Sequence, residues 1–232
     1  MNISRLDFFD ENTGMIHDLS KKLSNIRNDY RLKSLDLADV KADPLAQLSV
    51  WLDEAVKSEL NELNAVHLST VDHKGRPAGR IVLLKGIDEK GIVFFTNYNS
   101  AKGKELEEHS FAAVTFFWAE LQRQARLCGR VEKVSAQESD AYFASRPRES
   151  QIGACASDQS EVIPNREFLE AKVKKIEEEY KGKTIPRPAH WGGYRVIPDH
   201  IEFWQGRESR LHDRIVYTLE DGNAWGIERL SP

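Results

Sequence analysis

Residues 65–96 read AVHLSTVDHKGRPAGRIVLLKGIDEKGIVFFT. Three apolar runs, Ala65–Val71, Arg80–Gly86 and Ile92–Thr96, are separated by Asp72-His73-Lys74-Gly75 and Asp88-Glu89-Lys90-Gly91. Short runs rich in β-branched and aromatic residues, punctuated by Asp and Gly, predict strands joined by tight turns. Downstream, Asn99-Ser100 can cap a short helix through His109, and Phe111–Trp118 and Gln122–Val134 add two more strands. Ser135 with Glu138 three residues on is a capping box, opening a helix that ends at Ser145-Arg146-Pro147. Asn165 opens a charged helix through Tyr180, and Tyr194–Ile197, Ile201–Gly206, His212–Leu219 and Ala224–Leu230 read as strands. Upstream, Asp43 caps a helix with Pro44 at its first position, running to about Leu60. Ile16, Leu19, Leu23 and Ile26 predict an earlier amphipathic helix ending near Tyr30, after an unpatterned tail over residues 1–15. Strands at hairpin spacing with helices inserted between them predict a mainly β, α+β chain: an antiparallel barrel with peripheral helices, one domain over residues 16–232. The βαβ alternation of a doubly wound fold is missing, as are the Gly-rich loops that cradle nucleotide phosphates.

Composition narrows the class of function. The 232 residues are 40% hydrophobic and 30% charged, and 33 basic against 37 acidic residues leave a net charge of −4. That balance lacks the basic excess of a general nucleic-acid binder. Two cysteines, Cys128 and Cys155, are too few for a disulfide framework and imply free thiols in a reducing compartment. No metal-binding spacing of His or Cys occurs. The segment Met1–Glu11 lacks the apolar run of a signal peptide, and the longest apolar stretch, Phe111–Ala119, is half a membrane span. A soluble, cytoplasmic protein with no membrane or nucleic-acid partner is expected.

Four clusters can carry chemistry. Arg80 and Lys85, five apart on one strand, point to opposite faces, as two anion contacts or as two snorkelling cations. Tyr142, Arg146 and Ser150 are spaced by four, but Pro147 argues that the helix stops, leaving Arg146, Arg148 and Ser150 in a loop. Their guanidinium and hydroxyl groups suit a phosphate, or equally a solvated helix end. Ser100-Ala101-Lys102-Gly103-Lys104 opens a helix, as an anion site or as a charged first turn. Arg210, His212 and Arg214 alternate, so on a strand they share one face and repel unless a ligand or carboxylate sits among them. Trp204 offers a flat surface to an aromatic ring, and Asp213 points the other way.

From Ile26 to Pro232 the chain closely resembles the pyridoxine/pyridoxamine 5′-phosphate oxidases, flavin enzymes that make pyridoxal 5′-phosphate. The resemblance rests on Arg80–Lys85, Phe94-Phe95-Thr96-Asn97, Ser145-Arg146-Pro147-Arg148, Ser150–Ala154, Trp191-Gly192-Gly193, Ile201–Gly206, Arg210–Arg214 and Glu228–Pro232, in that order. It implies a split β-barrel that works as a homodimer with FMN in the interface. It implies FMN contacts from Arg80, Ile81, Val82, Leu83, Leu84, Lys85, Phe95, Thr96, Lys102, Gln124, Gln159, Ser160, Trp204 and Arg214. It implies a substrate phosphate held by Lys85, Tyr142, Arg146 and Ser150, with Arg210 and His212 as catalytic residues at the pyridine ring and Arg27 and Tyr30 in a lid over it. The reaction implied is oxidation of pyridoxine 5′-phosphate and pyridoxamine 5′-phosphate by hydride transfer to FMN, with O2 as acceptor giving H2O2.

Three departures from the family pattern stand out. Ala101 replaces an arginine that belongs to the flavin-phosphate site, Asn28 and Asp29 follow Arg27 where a second basic residue is usual, and Cys155 replaces a bulky residue. Two other functions are open to such a chain: a related FMN split-barrel reductase with another substrate, and a non-catalytic pyridoxal-phosphate binder. The first would lack the set Tyr142, Arg146, Ser150, Arg210 and His212, all present here; the second would need the phosphate clamp without a working flavin.

Overall fold

The hairpin series forms as the sequence predicts. In the computed structural model, which describes residues 18–26, 29–222 and 224–232, β1 (Ala65–Val71), β2 (Pro77–Asp88) and β3 (Gly91–Asn97) make an antiparallel meander. Leu84 lies opposite Phe94 and Gly86 opposite Val93, so Lys85 is the extra residue of a bulge. Two more strands follow, β4 (Phe111–Trp118) and β5 (Arg123–Lys133), and then β6 (Trp191–Gln205), β7 (Asp213–Leu219) and β8 (Trp225–Leu230).

The strand order is β3-β2-β1-β4-β5-β6-β7-β8, and β3 also pairs with β6. That last pairing closes six strands into a barrel and leaves β7 and β8 as an extension from β6. The length of β6 makes this possible: Trp191–Val196 pairs with β3, and His200–Gln205 pairs with β7. The sequence reading split this segment into two strands around Pro198. The structure runs one strand through it, because Asp199 is the extra residue of a bulge on β6, opposite the Cys128–Gly129 step of β5, and the ladder is interrupted beside the residue that has no N–H to donate.

The helices start where their caps stand. Asp43, Ser100, Ser135 and Asn165 accept from the third residue on, opening α1 (Pro44–Lys57), α2 (Ala101–Glu108), α3 (Ala136–Ser145) and, beyond α4 (Arg148–Ala156), α5 (Arg166–Glu179). The expected loop after Pro147 is α4. Proline ends α3 and, with its fixed φ just before the first turn, starts the next helix. The early amphipathic helix covers residues 18–25 among those described and stops short of Tyr30; Ile16 and Arg27 lie outside the described residues.

The core is built from Leu68, Val114, Phe116, Leu127 and Phe203 of the barrel strands together with Ile215 and Tyr217 of β7, all buried. On α1, Leu45, Leu48, Trp51 and Ala55 follow helical spacing and face this core, with Trp51 edge-on to Phe203 at 5.0 Å and to Trp118 at 6.3 Å. A second small core, Phe143, Ile152, Ile185 and Trp191, lies under α3, α4 and α5 and seats these helices against the start of β6. No helix among the described residues is long and apolar enough to cross a membrane.

Candidate active site

Two separate cavities carry the residues singled out above. The first, of about 530 Å³, lies between the outward faces of β2 and β3 and helices α3 and α4. Tyr142, Arg146 and Ser150 converge on it although Pro147 breaks the helix between them. Lys85 joins them from β2, on the same outer face as Ile81 and Leu83 by strand alternation. Val82, Phe95, Thr96, Lys102 and Gln159 complete the implied flavin residues found on its wall.

Aromatic stacking sets the geometry. The Tyr142 ring lies on Phe95 at 4.0 Å and 19°, and Phe95 lies against Trp191 at 5.5 Å and 12°. The Arg146 guanidinium stands 4.6 Å over the Trp191 ring, and its Nη1 is buried with no hydrogen-bond partner. A buried donor left unpaired costs about 1–3 kcal/mol, more for a charged group, so Nη1 is poised for an acceptor. Lys102 is buried as well. Its Nζ donates only to neutral oxygens, Thr96 Oγ1 at 3.3 Å and Ser100 Oγ and Gln159 Oε1 at 3.4 Å. Burial, and then the Arg80 charge, push its pKa down, with Glu105 opposing. Burial also pushes the Arg146 pKa down and the Tyr142 pKa up. No acidic side chain is among the described residues lining this cavity. Three cations, Lys85, Lys102 and Arg146, without a carboxylate partner among the described residues fit an anion, and the apolar strand face beside them fits a flat ring.

Several expected residues are not on this wall. Arg80 is on the opposite face of β2, where it pairs with Glu105 at 2.7 Å and also donates to Thr70. Leu84 is buried inward, and Ser160 accepts from the Ala101 N–H at 3.2 Å instead of lining the cavity. Ala101 itself is exposed at the first position of α2. Lys104, the nearest substitute cation in sequence, is held by Glu161 at 3.0 Å.

The second cavity, of about 800 Å³, opens beyond the far end of β6 and is lined by Tyr30, Trp204, Arg207, Arg210 and His212 among others. The expectation that Arg210, His212 and Arg214 share a strand face is corrected here. β7 begins at Asp213, and Ser209 and Arg210 have φ of 55° and 62°, so the chain turns left-handed just before it. That turn carries Arg210 to the cavity wall. Arg214, on the strand, is clamped by Glu202 through Nε at 2.9 Å and Nη2 at 3.0 Å, with Arg126 on the other side of the same carboxylate. The anion the repulsion argument required is thus a side chain for Arg214, whereas Arg210 has no ion-pair partner among the described residues. Asp213 does face away, binding Arg207, Arg229 and the Leu35 N–H. Gln124, Trp204 and Arg214 are directly opposite one another across β5, β6 and β7.

His212 has a defined neutral form. The Arg207 N–H donates to its Nδ1 at 3.1 Å, so the proton of the neutral ring belongs on Nε2. Burial, then the Arg210 charge, push its pKa down, and Asp213 opposes them.

Family models match two parts of the chain: that described as pyridoxamine 5′-phosphate oxidase over residues 52–180, and the pyridoxine 5′-phosphate oxidase C-terminal dimerisation region over residues 191–232. The chain belongs to the pyridoxamine 5′-phosphate oxidase family. Relatives named pyridoxine/pyridoxamine 5′-phosphate oxidase include one from Burkholderia multivorans, 57% identical over 90% of this chain and 99% of its own. Another, from Nostoc punctiforme, is 52% identical over 92% of this chain and 100% of its own. Among solved structures, PhzG from Burkholderia lata 383, in complex with tetrahydrophenazine-1-carboxylic acid, is 30% identical with a TM-score of 0.82, covering 88% of this chain and 100% of that one. As a member of this family the chain is an enzyme and carries the family's dimerisation region on β6, β7 and β8.

Sequence reasoning gave no separate role to three residues that brace the elements around these cavities. Trp191 supports Arg146, Glu202 fixes Arg214, and Gln122 reaches a segment 90 residues away. Glu202 left a local signal, a lone acid in the apolar run Ile201–Trp204, and Trp191 stands in the Trp191-Gly192-Gly193 motif; Gln122 left none.

Proposed function

We propose that the protein is an FMN-dependent oxidase of pyridoxine 5′-phosphate and pyridoxamine 5′-phosphate, acting as a homodimer. The observation that carries this reading is the acid-free cavity in which Lys85, Lys102 and the unpaired Arg146 Nη1 meet Tyr142 and Ser150. So many donors without a carboxylate suit phosphate dianions better than any neutral ligand. FMN, when bound, would take a hydride from the substrate C4′ and pass the electrons to O2, giving H2O2. Ile81, Val82, Leu83, Phe95, Thr96, Lys102 and Gln159 would hold it from one protomer, and Gln124, Trp204 and Arg214 from the other. Tyr142, Arg146, Ser150 and Lys85 would hold the substrate phosphate, supplying remote binding energy that orients C4′. Arg210 and His212 would address the pyridine ring, with His212 offering Nε2–H. The two cavities have different lining residues within one chain, which supports a site completed across a dimer.

The purified protein should be yellow. Its visible flavin band should bleach on anaerobic addition of pyridoxine 5′-phosphate and return with air. Unphosphorylated pyridoxine should bleach it far less, which separates this reading from one built on an aromatic carboxylate such as PhzG's ligand. A colourless protein that FMN cannot reconstitute would overturn the proposal.

Position 101 gives a finer test. One lost hydrogen bond to a charged group is worth about 1.5–3 kcal/mol, and about 1.4 kcal/mol is tenfold in affinity. Lys104 sits in an exposed ion pair with Glu161, and as a point charge it cannot copy the bidentate fork of the missing arginine. Ala101→Arg should therefore tighten FMN binding about tenfold, less at high salt because part of the gain is Coulombic. Fluorescence titration of apo-protein at two salt concentrations reads this directly. Equal dissociation constants would mean that position 101 does not reach the phosphate.

A further inference from the structure

The strap that enters the second cavity is held by a residue assigned no part in the site. Gln122 ends the short turn between β4 and β5 in a left-handed conformation, φ 53° and ψ 42°. Its backbone carbonyl accepts from the Gly206 N–H at 2.8 Å and from Gln205 Nε2 at 3.1 Å, fastening it to the end of β6. Its side chain turns the other way. Oε1 accepts from two consecutive amides of the strap, Arg31 N–H at 2.9 Å and Leu32 N–H at 3.3 Å.

Tyr30 immediately precedes those amides. Its ring is edge-on to Trp204 and to His212, 5.8 Å from each. It also lies so close on Gly206 that a Cβ there would meet Tyr30 Cγ at 2.7 Å. One glutamine thus ties together the strap carrying Tyr30 and the strand end on which Tyr30 lies.

We propose that Gln122 is a positioning residue that latches residues 30–32 and so holds the Tyr30 ring over the Trp204–His212 cavity, favouring substrate binding. The inference rests on the reading of that cavity as the place of the substrate ring. Gln122 touches no reacting atom, so its loss should act on KM more than on kcat.

The test uses the FMN-loaded dimer and two variants. Gln122→Asn keeps a residue that tolerates the left-handed backbone but is one methylene too short. Gln122→Glu keeps both the reach and an accepting oxygen. In Gln122→Asn, hydrogen exchange at the Arg31 and Leu32 amides should quicken about tenfold, the loss of one ordinary hydrogen bond. KM for pyridoxine 5′-phosphate should rise by a similar factor, with kcat held within about twofold. Gln122→Glu should restore the protection and the KM. Unchanged exchange in Gln122→Asn would overturn the latch, and quickened exchange with an unchanged KM would overturn its role in binding. Exchange is measured without substrate. If the wild-type protein failed to oxidise pyridoxine 5′-phosphate, the functional reading would fall while the amides still decided whether Gln122 holds the strap.

Discussion

Arg146→Ala is expected to lower kcat/KM for pyridoxine 5′-phosphate about 100-fold, since a charge-assisted, forked contact to phosphate is worth about 2.7 kcal/mol. The unmutated side chain is already placed for the contact. Trp191 supports its guanidinium at 4.6 Å, and Nη1 is buried without a partner. Little conformational entropy is then lost when phosphate arrives, so most of the interaction appears as binding. Arg146→Lys should recover only part of the loss, about tenfold, because a lysine is a point charge and cannot copy the planar fork or the stacking on Trp191. Unphosphorylated pyridoxine provides the control: its oxidation should hardly change, so discrimination between the two substrates collapses in Arg146→Ala. Steady-state kinetics on both substrates decide the matter. A kcat/KM for the phosphorylated substrate within about threefold of wild type would place the phosphate elsewhere.

The parts of this site that were legible in the sequence are those set by local rules. The capping side chains Asp43, Ser100, Ser135 and Asn165 open helices at their own positions, and the turns at Asp72–Gly75 and Asp88–Gly91 join the expected strands. These are contests between neighbouring backbone and side-chain groups, decided within four or five residues. What escaped depends on partners distant in sequence. Barrel closure needs β3 to meet β6, with Phe95 opposite Gly193, and nothing near either residue announces it. Pro198 reads as a strand break until the bulge at Asp199 on β6, opposite Cys128–Gly129 of β5, is known. The alternation of Arg210, His212 and Arg214 suggested a strand, yet Ser209 and Arg210 adopt positive φ, which propensity argues against for non-glycine residues. Two such residues in succession are strained, and strain of this kind collects where a side chain must be aimed. The convergence of Tyr142, Arg146 and Ser150 was legible as spacing; that two helices rather than one deliver it was not.

Arg210→Ala is expected to lower kcat about 100- to 1,000-fold, the loss that follows removal of one group aimed at developing charge in a reacting site. Arg207, Arg214 and Arg31 are each committed to a carboxylate, Asp213, Glu202 and Glu208 respectively, and Arg210 has no such partner among the described residues. It is therefore the cation of this cavity with its charge free for a ligand. FMN affinity should stay within about twofold, since on the proposed reading the flavin-side contact on this sheet would fall to Arg214, held in place by Glu202 whether or not Arg210 is present. The same variant makes a second, independent prediction through His212. The Arg210 charge is the second cause, after burial, that holds the His212 pKa down. Removing a positive neighbour favours the charged imidazole, so the pKa rises. A protonated ring cannot accept the Arg207 N–H at Nδ1, so the form described here is lost below that pKa. The acidic limb of the residual kcat/KM profile should accordingly move to higher pH in Arg210→Ala, whereas loss of a group acting as an acid would change the alkaline limb. Pre-steady-state flavin reduction followed across pH measures both effects at once. Normal turnover with weakened FMN binding would assign Arg210 to the flavin, and an unmoved acidic limb would remove His212 from the group that sets it.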